Sequence, residues 1–118
     1  MKSTAVAPAK VILTGEHFVV YGTTAVVSAV KIYSRATASR RRGKTIVTRS
    51  GSLKCAMHID SGHCQVLNGG DDARTLLEPI SQLARTALGN WAGQSTGLDL
   101  NIKSDIPVGV GLGSSAAV

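Results

Sequence analysis

The chain has 118 residues, 43% of them hydrophobic and 17% charged, with a formal net charge of +6. That is one domain's worth of chain with a moderate core. No run of 18 apolar residues could cross a membrane as a helix, and residues 5–9, broken by Pro8, are too short for a signal peptide. A cytoplasmic location with reduced thiols is therefore expected. The positive charge suits nucleotides, carboxylates and nucleic acid alike, so by itself it does not choose among them.

Residues 3–14 alternate loosely and predict a first strand, with Pro8 marking an edge or a bend, and Gly15 ends it. Residues 19–21 and 25–33 are rich in β-branched side chains and are separated by Gly22, as in a hairpin or meander. Residues 35–40 continue as strand. The tip S-R-R-R-G-K at 39–44 then reads as a turn before residues 45–49. Arg40, Arg41 and Arg42 are either a nucleic-acid patch or a solvated turn that protects an edge strand. With so few aromatic residues for base stacking, the solvated turn is the better reading.

Residues 53–59 alternate cleanly: Leu53, Cys55, Met57 and Ile59 face one way, Lys54, Ala56 and His58 the other. A turn at 60–63 and a return strand at 64–67 follow, then a glycine-rich loop closing on Asp71 and Asp72 as N-cap candidates. From 73 to 91 apolar residues recur at helical spacing: Leu76, Leu77, Ile80, Leu83, Ala84, Ala87, Leu88 and Trp91. Pro79 predicts a kink or a break into two helices, and Gly89 and Gly93 predict the end. The element order is that of an α+β fold. Cys55, His58, His63 and Cys64 could suggest zinc. However, a strand at 53–59 points Cys55 and His58 to opposite faces, and a turn at 60–63 sets Cys64 opposite Ile59. Neither a shared metal nor a disulfide is expected.

Leu98, Leu100 and Ile102 alternate with Asp99, Asn101 and Lys103, predicting a half-buried strand that ends in a Ser-Asp-Ile-Pro turn. Asp99 and Asp105 read as solvated strand and turn residues. Glycines then stand at 109, 111 and 113, ahead of two serines and small residues that can open a helix. Glycine lets backbone amides approach a ligand that a Cβ would repel, and the start of a helix favours an anion. The run is either a phosphate cradle or a flexible loop before a serine-capped helix. It is not a P-loop, since no lysine follows Gly113, and its G-x-G-x-G spacing is not the dinucleotide-binding fingerprint.

Residues 107–117, P-V-G-V-G-L-G-S-S-A-A, resemble the ATP-phosphate loop of the GHMP superfamily, the kinases of galactose, homoserine, mevalonate and phosphomevalonate. Residues 7–22, A-P-A-K-V-I-L-T-G-E-H-F-V-V-Y-G, are similar to that superfamily's first motif in the form carried by its mevalonate-phosphorylating members. The two motifs lie about 90 residues apart, in the family's order. The resemblance implies the ribosomal-protein-S5-domain-2-like fold and an ATP-binding N-terminal domain over residues 1–118. The chain stops about one turn into the helix after the loop, so an N-terminal portion of a larger enzyme is expected, inactive alone. The family's catalytic aspartate, acidic magnesium ligand, third glycine-rich motif and C-terminal domain would lie beyond residue 118.

By the same resemblance, ATP is held by Pro107, Val108, Gly109, Val110, Gly111, Leu112, Gly113, Ser114, Ser115, Ala116 and Ala117. Ser114 would touch phosphate and Ser115 would ligate Mg2+. Lys10 would reach the phosphates and the acceptor hydroxyl; without the resemblance it would read as a snorkelling surface lysine. His17 would contact the acceptor, with Glu16 organising it. The implied acceptor is mevalonate, phosphorylated to 5-phosphomevalonate for isoprenoid synthesis. The alternatives are mevalonate's tertiary hydroxyl, phosphomevalonate or galactose. Two departures bear on this: Ala9 replaces a usual glycine, and Phe18 replaces a smaller residue beside His17. The reading includes no nucleic acid and no membrane partner, and allows a homodimer of the whole protein. A basic nucleic-acid-binding domain of S5-like fold is the non-enzyme alternative.

Overall fold

The computed structural model describes residues 1–91 and 96–117, and of Asn90, Trp91, Ser115 and Ala116 the backbone alone. Strand β1 (Lys2–Thr14) is followed by a short 3-10 turn (Val19–Tyr21), β2 (Val26–Ser50), β3 (Leu53–His58) and β4 (Cys64–Asn68). Helix α1 (Gly70–Trp91), β5 (Thr96–Ser104) and the four-residue helix α2 (Ser114–Ala117) complete the order. The strands form one sheet in the order β1-β2-β3-β4, with β5 also paired to β2. The chain forms two compact units, Met1–Ala5 with Ala36–Lys103 and Val6–Arg35 with Ser104–Val118.

In the first unit, α1 packs on β3 and β4 over a core of Ile46, Cys55, Met57, Cys64, Ala73 and Leu77. The expected alternation of β3 holds: Cys55 and Met57 are buried and His58 is exposed. Helix α1 buries Ala73 and Leu77 and packs Ile80, Ala84 and Leu88 beside them, whereas Leu76 and Leu83 are exposed. Ser81 interrupts this apolar stripe and is fully buried. Its hydroxyl donates to the Leu77 carbonyl at 2.8 Å and lies 2.7 Å from the Thr48 hydroxyl and 3.4 Å from the Cys55 thiol. A buried hydroxyl is tolerated when its hydrogen bonds are made, as they are here.

Several expectations are corrected. Residues 39–44 are not a turn: β2 runs through them without a break, and it is flanked by other strands rather than lying at an edge. Gly97 of β5 comes so close to the Thr45 and Gly43 carbonyls that a Cβ there would stand 2.4 and 2.8 Å from them, and this partner keeps the segment extended. Pro79 does not break α1, which is a single 22-residue helix, and Gly89 does not end it. The missing Pro79 N–H leaves the Thr75 carbonyl without its helical donor. Both residues are exposed, so water can serve in its place. Gly93 lies outside the described residues. Asp71 and Asp72 occupy the first turn rather than the cap, because the Ala73 amide already donates to the Gly69 carbonyl. They still complement the helix dipole.

The β3–β4 turn also differs. His58 donates to the His63 carbonyl at 3.0 Å, so the turn is 59–62, while the Ile59 amide turns instead to the Lys44 carbonyl. Arg85 pins this turn through Nε on the Ile59 carbonyl and Nη2 on the Asp60 carbonyl, 2.6 and 3.2 Å away. Cys64 therefore faces Met57, not Ile59, and lies diagonal to Cys55 on the same buried face. Both thiols are free. Among the described residues no group of three or more His, Cys, Asp or Glu could hold a metal.

Burial pushes the Cys64 thiol up to about 11, helped by a hydrogen bond with Cys55. Because the folded protein holds this proton more tightly than the unfolded chain, the associated stability is complete below pH 9. It should fall as the pH rises from 9 towards 11. Urea melts across that range should show the loss, and Cys64→Ala should flatten it; an equal slope in the variant would assign the effect elsewhere.

Candidate active site

The second unit contains the glycine run and the whole of the first sequence motif. After β5 the Asp105 amide donates to the Tyr33 carbonyl at 3.0 Å, and the Ile106 amide to the Ser104 hydroxyl at 3.2 Å. The Ile106 side chain is buried, whereas Pro107, Val108, Gly109, Val110 and Gly111 are exposed. Gly109, Gly111 and Gly113 all have left-handed backbones, with φ of +80°, +73° and +70°. L-residues enter that region only at a cost, so the loop's path depends on glycine. Among the described residues, none of these three amides donates to a backbone carbonyl.

Gly113 supplies the carbonyl that the Ala117 amide meets at 3.1 Å, so Gly113 caps α2 and Ser114 is its first residue. This corrects the reading of a serine as the N-cap. The Ser115 backbone lies in α2, and its side chain is outside the described residues.

Lys10 sits near the middle of β1 and is half-buried. Its amide donates to the Leu112 carbonyl at 3.0 Å. Its stem lies flat on Gly113, where an added Cβ would come within 2.7 Å of Lys10 Cγ and 3.0 Å of Cε. Two segments about 100 residues apart in sequence are thus in direct contact, by main chain and by side chain.

The turn after β1 is equally constrained. At Gly15 (φ +86°) a Cβ would stand 2.5 Å from the Thr24 carbonyl oxygen. Its own carbonyl accepts from Val19, and Gly22 closes the turn on the Val19 carbonyl. Residues 19–21 are therefore a 3-10 turn and not the expected strand. Glu16, His17 and Phe18 are exposed on it, and among the described residues neither Glu16 nor His17 makes a side-chain hydrogen bond or ion pair.

In the first unit, part of the basic run is spent on local ion pairs. Arg41 and Arg49 both reach Asp99, at 3.3 and 3.7 Å, and Lys44 reaches Asp60 at 2.9 Å. The Lys44 ammonium holds the Asp60 carboxyl below its ordinary range. Asp99 is thus an ion-pair centre rather than a merely solvated residue.

The anchor formed by Ser104, the Tyr33 carbonyl and Ile106 was not singled out from the sequence. A serine two residues before an amide, at a strand end, is the local signal that could have revealed it.

Comparison with known proteins bears on the family and the fold. The family described as GHMP kinases N terminal domain matches residues 74–118. The mevalonate kinase of Pyrococcus furiosus is 36% identical over 121 residues, covering 100% of this chain and 36% of that protein. That of Pyrococcus horikoshii is 36% identical over 122 residues, covering 95% and 34%. The chain thus spans about a third of the length of these curated relatives. Among solved structures, Methanococcus jannaschii mevalonate kinase superposes with a TM-score of 0.70 at 27% identity, over 99% of this chain and 37% of that one. Lactococcus lactis galactokinase, solved with galactose, shares the fold at a TM-score of 0.72 and 21% identity, over 98% and 29%. By sequence and by fold, this chain belongs with the N-terminal domains of the GHMP kinases.

Proposed function

We propose that the protein carrying this chain transfers the γ-phosphoryl group of ATP to the primary hydroxyl of mevalonate. The observation that carries this reading is the contact of Lys10 with Leu112 and Gly113, which brings the two motifs side by side. Phosphoryl transfer asks mainly for positioning and charge neutralisation, with little covalent participation by the protein. The amides of Gly109, Gly111 and Gly113 are donors without backbone partners, on a loop that no Cβ crowds at 109 and 111, and they suit phosphate oxygens. Magnesium, when bound with ATP, would neutralise phosphate charge, and the Ser115 hydroxyl is the residue proposed to ligate it.

Lys10, fixed by its packing on Gly113, would set its ammonium against the charge that develops in transfer. His17 would hydrogen-bond the acceptor, with Glu16 beside it, on a turn whose path Gly15 and Gly22 constrain. The strongest support for mevalonate is the name shared by the relatives at 36% identity.

The decisive experiment is ADP release by the intact protein with mevalonate, phosphomevalonate, homoserine and galactose, with product NMR to locate the phosphate. Activity with mevalonate and phosphate on the primary carbon is the expected result. Activity with galactose alone would overturn the acceptor and leave the kinase class standing. Phosphate on the tertiary carbon would direct attention to the exposed Phe18 beside His17.

A further inference from the structure

We propose that Ser104, outside the glycine run and outside both motifs, is a positioning residue for nucleotide binding. This rests on the reading of the glycine loop as a phosphate site. The argument is an account of backbone donors. Along the approach to the loop, the Asp105 amide goes to the Tyr33 carbonyl, the Ile106 amide goes to the Ser104 hydroxyl, and Pro107 has no amide to give. The amides of residues 105–107 are therefore spent or absent. Among the described residues, those of Val108, Gly109, Gly111 and Gly113 have no backbone acceptor and are left for a ligand.

The same contacts fix where those free amides stand. At the far end the loop is tied to β1 through Lys10 and Leu112 at 3.0 Å, and to α2 through the Gly113 cap. At the near end it is tied by the buried Ile106 side chain, the Tyr33 carbonyl and the Ser104 hydroxyl. Between the two ends the side chains of Val108 and Val110 are exposed, so the loop has little packing of its own. Its geometry depends on its anchors, and Ser104 is the anchor made by a side-chain hydrogen bond.

Ser104 is exposed and touches none of the proposed reacting atoms, so losing its hydroxyl should spare the fold and disturb the loop. In the intact protein, Ser104→Ala should raise KM for ATP and Kd for ADP about fivefold, as expected for one lost hydrogen bond. The turnover number should stay within about twofold, because Lys10 is untouched. Ser104→Thr keeps the hydroxyl on a strand-compatible side chain and should restore wild-type values. The nucleotide-free melting temperature should be nearly unchanged in both variants.

Wild-type affinity in Ser104→Ala would overturn the proposal alone. So would a Ser104→Thr variant as weak as Ser104→Ala, or a large loss of melting temperature without a change in Kd. Failure of the wild-type protein to bind ADP or ATP would overturn the phosphate-loop reading, and this proposal with it.

Discussion

Lys10→Met in the intact protein should lower turnover by on the order of a hundredfold or more while leaving the fold intact. Methionine keeps an unbranched stem of similar length on Gly113 and deletes only the ammonium, so packing in β1 is preserved. The backbone bond from residue 10 to the Leu112 carbonyl also survives, since it does not involve the side chain. Under the proposed function, what is lost is the positive charge assigned to the transferring phosphoryl group. The checks are steady-state kinetics with saturating ATP and a thermal melt. A rate near wild type would return Lys10 to the role of a surface lysine. A fallen melting temperature would show that the charge also supports the strand.

Gly113→Val should abolish nucleotide binding with little change in far-UV circular dichroism, and the alanine variants should show why. Gly111→Ala meets only the cost of a left-handed backbone, about 1–2 kcal/mol, since nothing lies within 4 Å of its Cβ. Nucleotide affinity should drop roughly tenfold. Gly113→Ala carries the same backbone cost and also places a methyl 2.7 Å from Lys10 Cγ, so the lysine must change rotamer and take its ammonium elsewhere. Its turnover should fall well below that of Gly111→Ala. Combining Gly113→Ala with Lys10→Met should add less than the sum of the two losses, because both act on one ammonium. Strict additivity in that cycle would mean that Lys10 and Gly113 do not act together.

The local patterns were legible where one periodicity ruled. The alternation of residues 53–59 and 98–103 and the helical spacing after residue 73 each specify an element, because a buried face imposes its own period. The alternating glycines 109, 111 and 113 marked a loop in the sequence, and the structure adds that all three take positive φ.

Only the tertiary structure decided the rest, and for identifiable reasons. Whether the tip at 39–44 turned or ran on depended on β5 supplying backbone partners from 50 residues further along the chain. Whether Pro79 broke α1 depended on which side of the helix its orphaned carbonyl faced. The β3–β4 turn was set by the Ile59 amide choosing Lys44, and that choice moved Cys64 next to Cys55. A sequence states which residues could pair, but a backbone donor has many possible acceptors, and only the folded chain brings one of them within 3 Å. The same holds for Lys10 and Gly113. Each motif stood out in the sequence, but the contact between a lysine stem and a missing Cβ exists only once β1 and the glycine loop lie side by side.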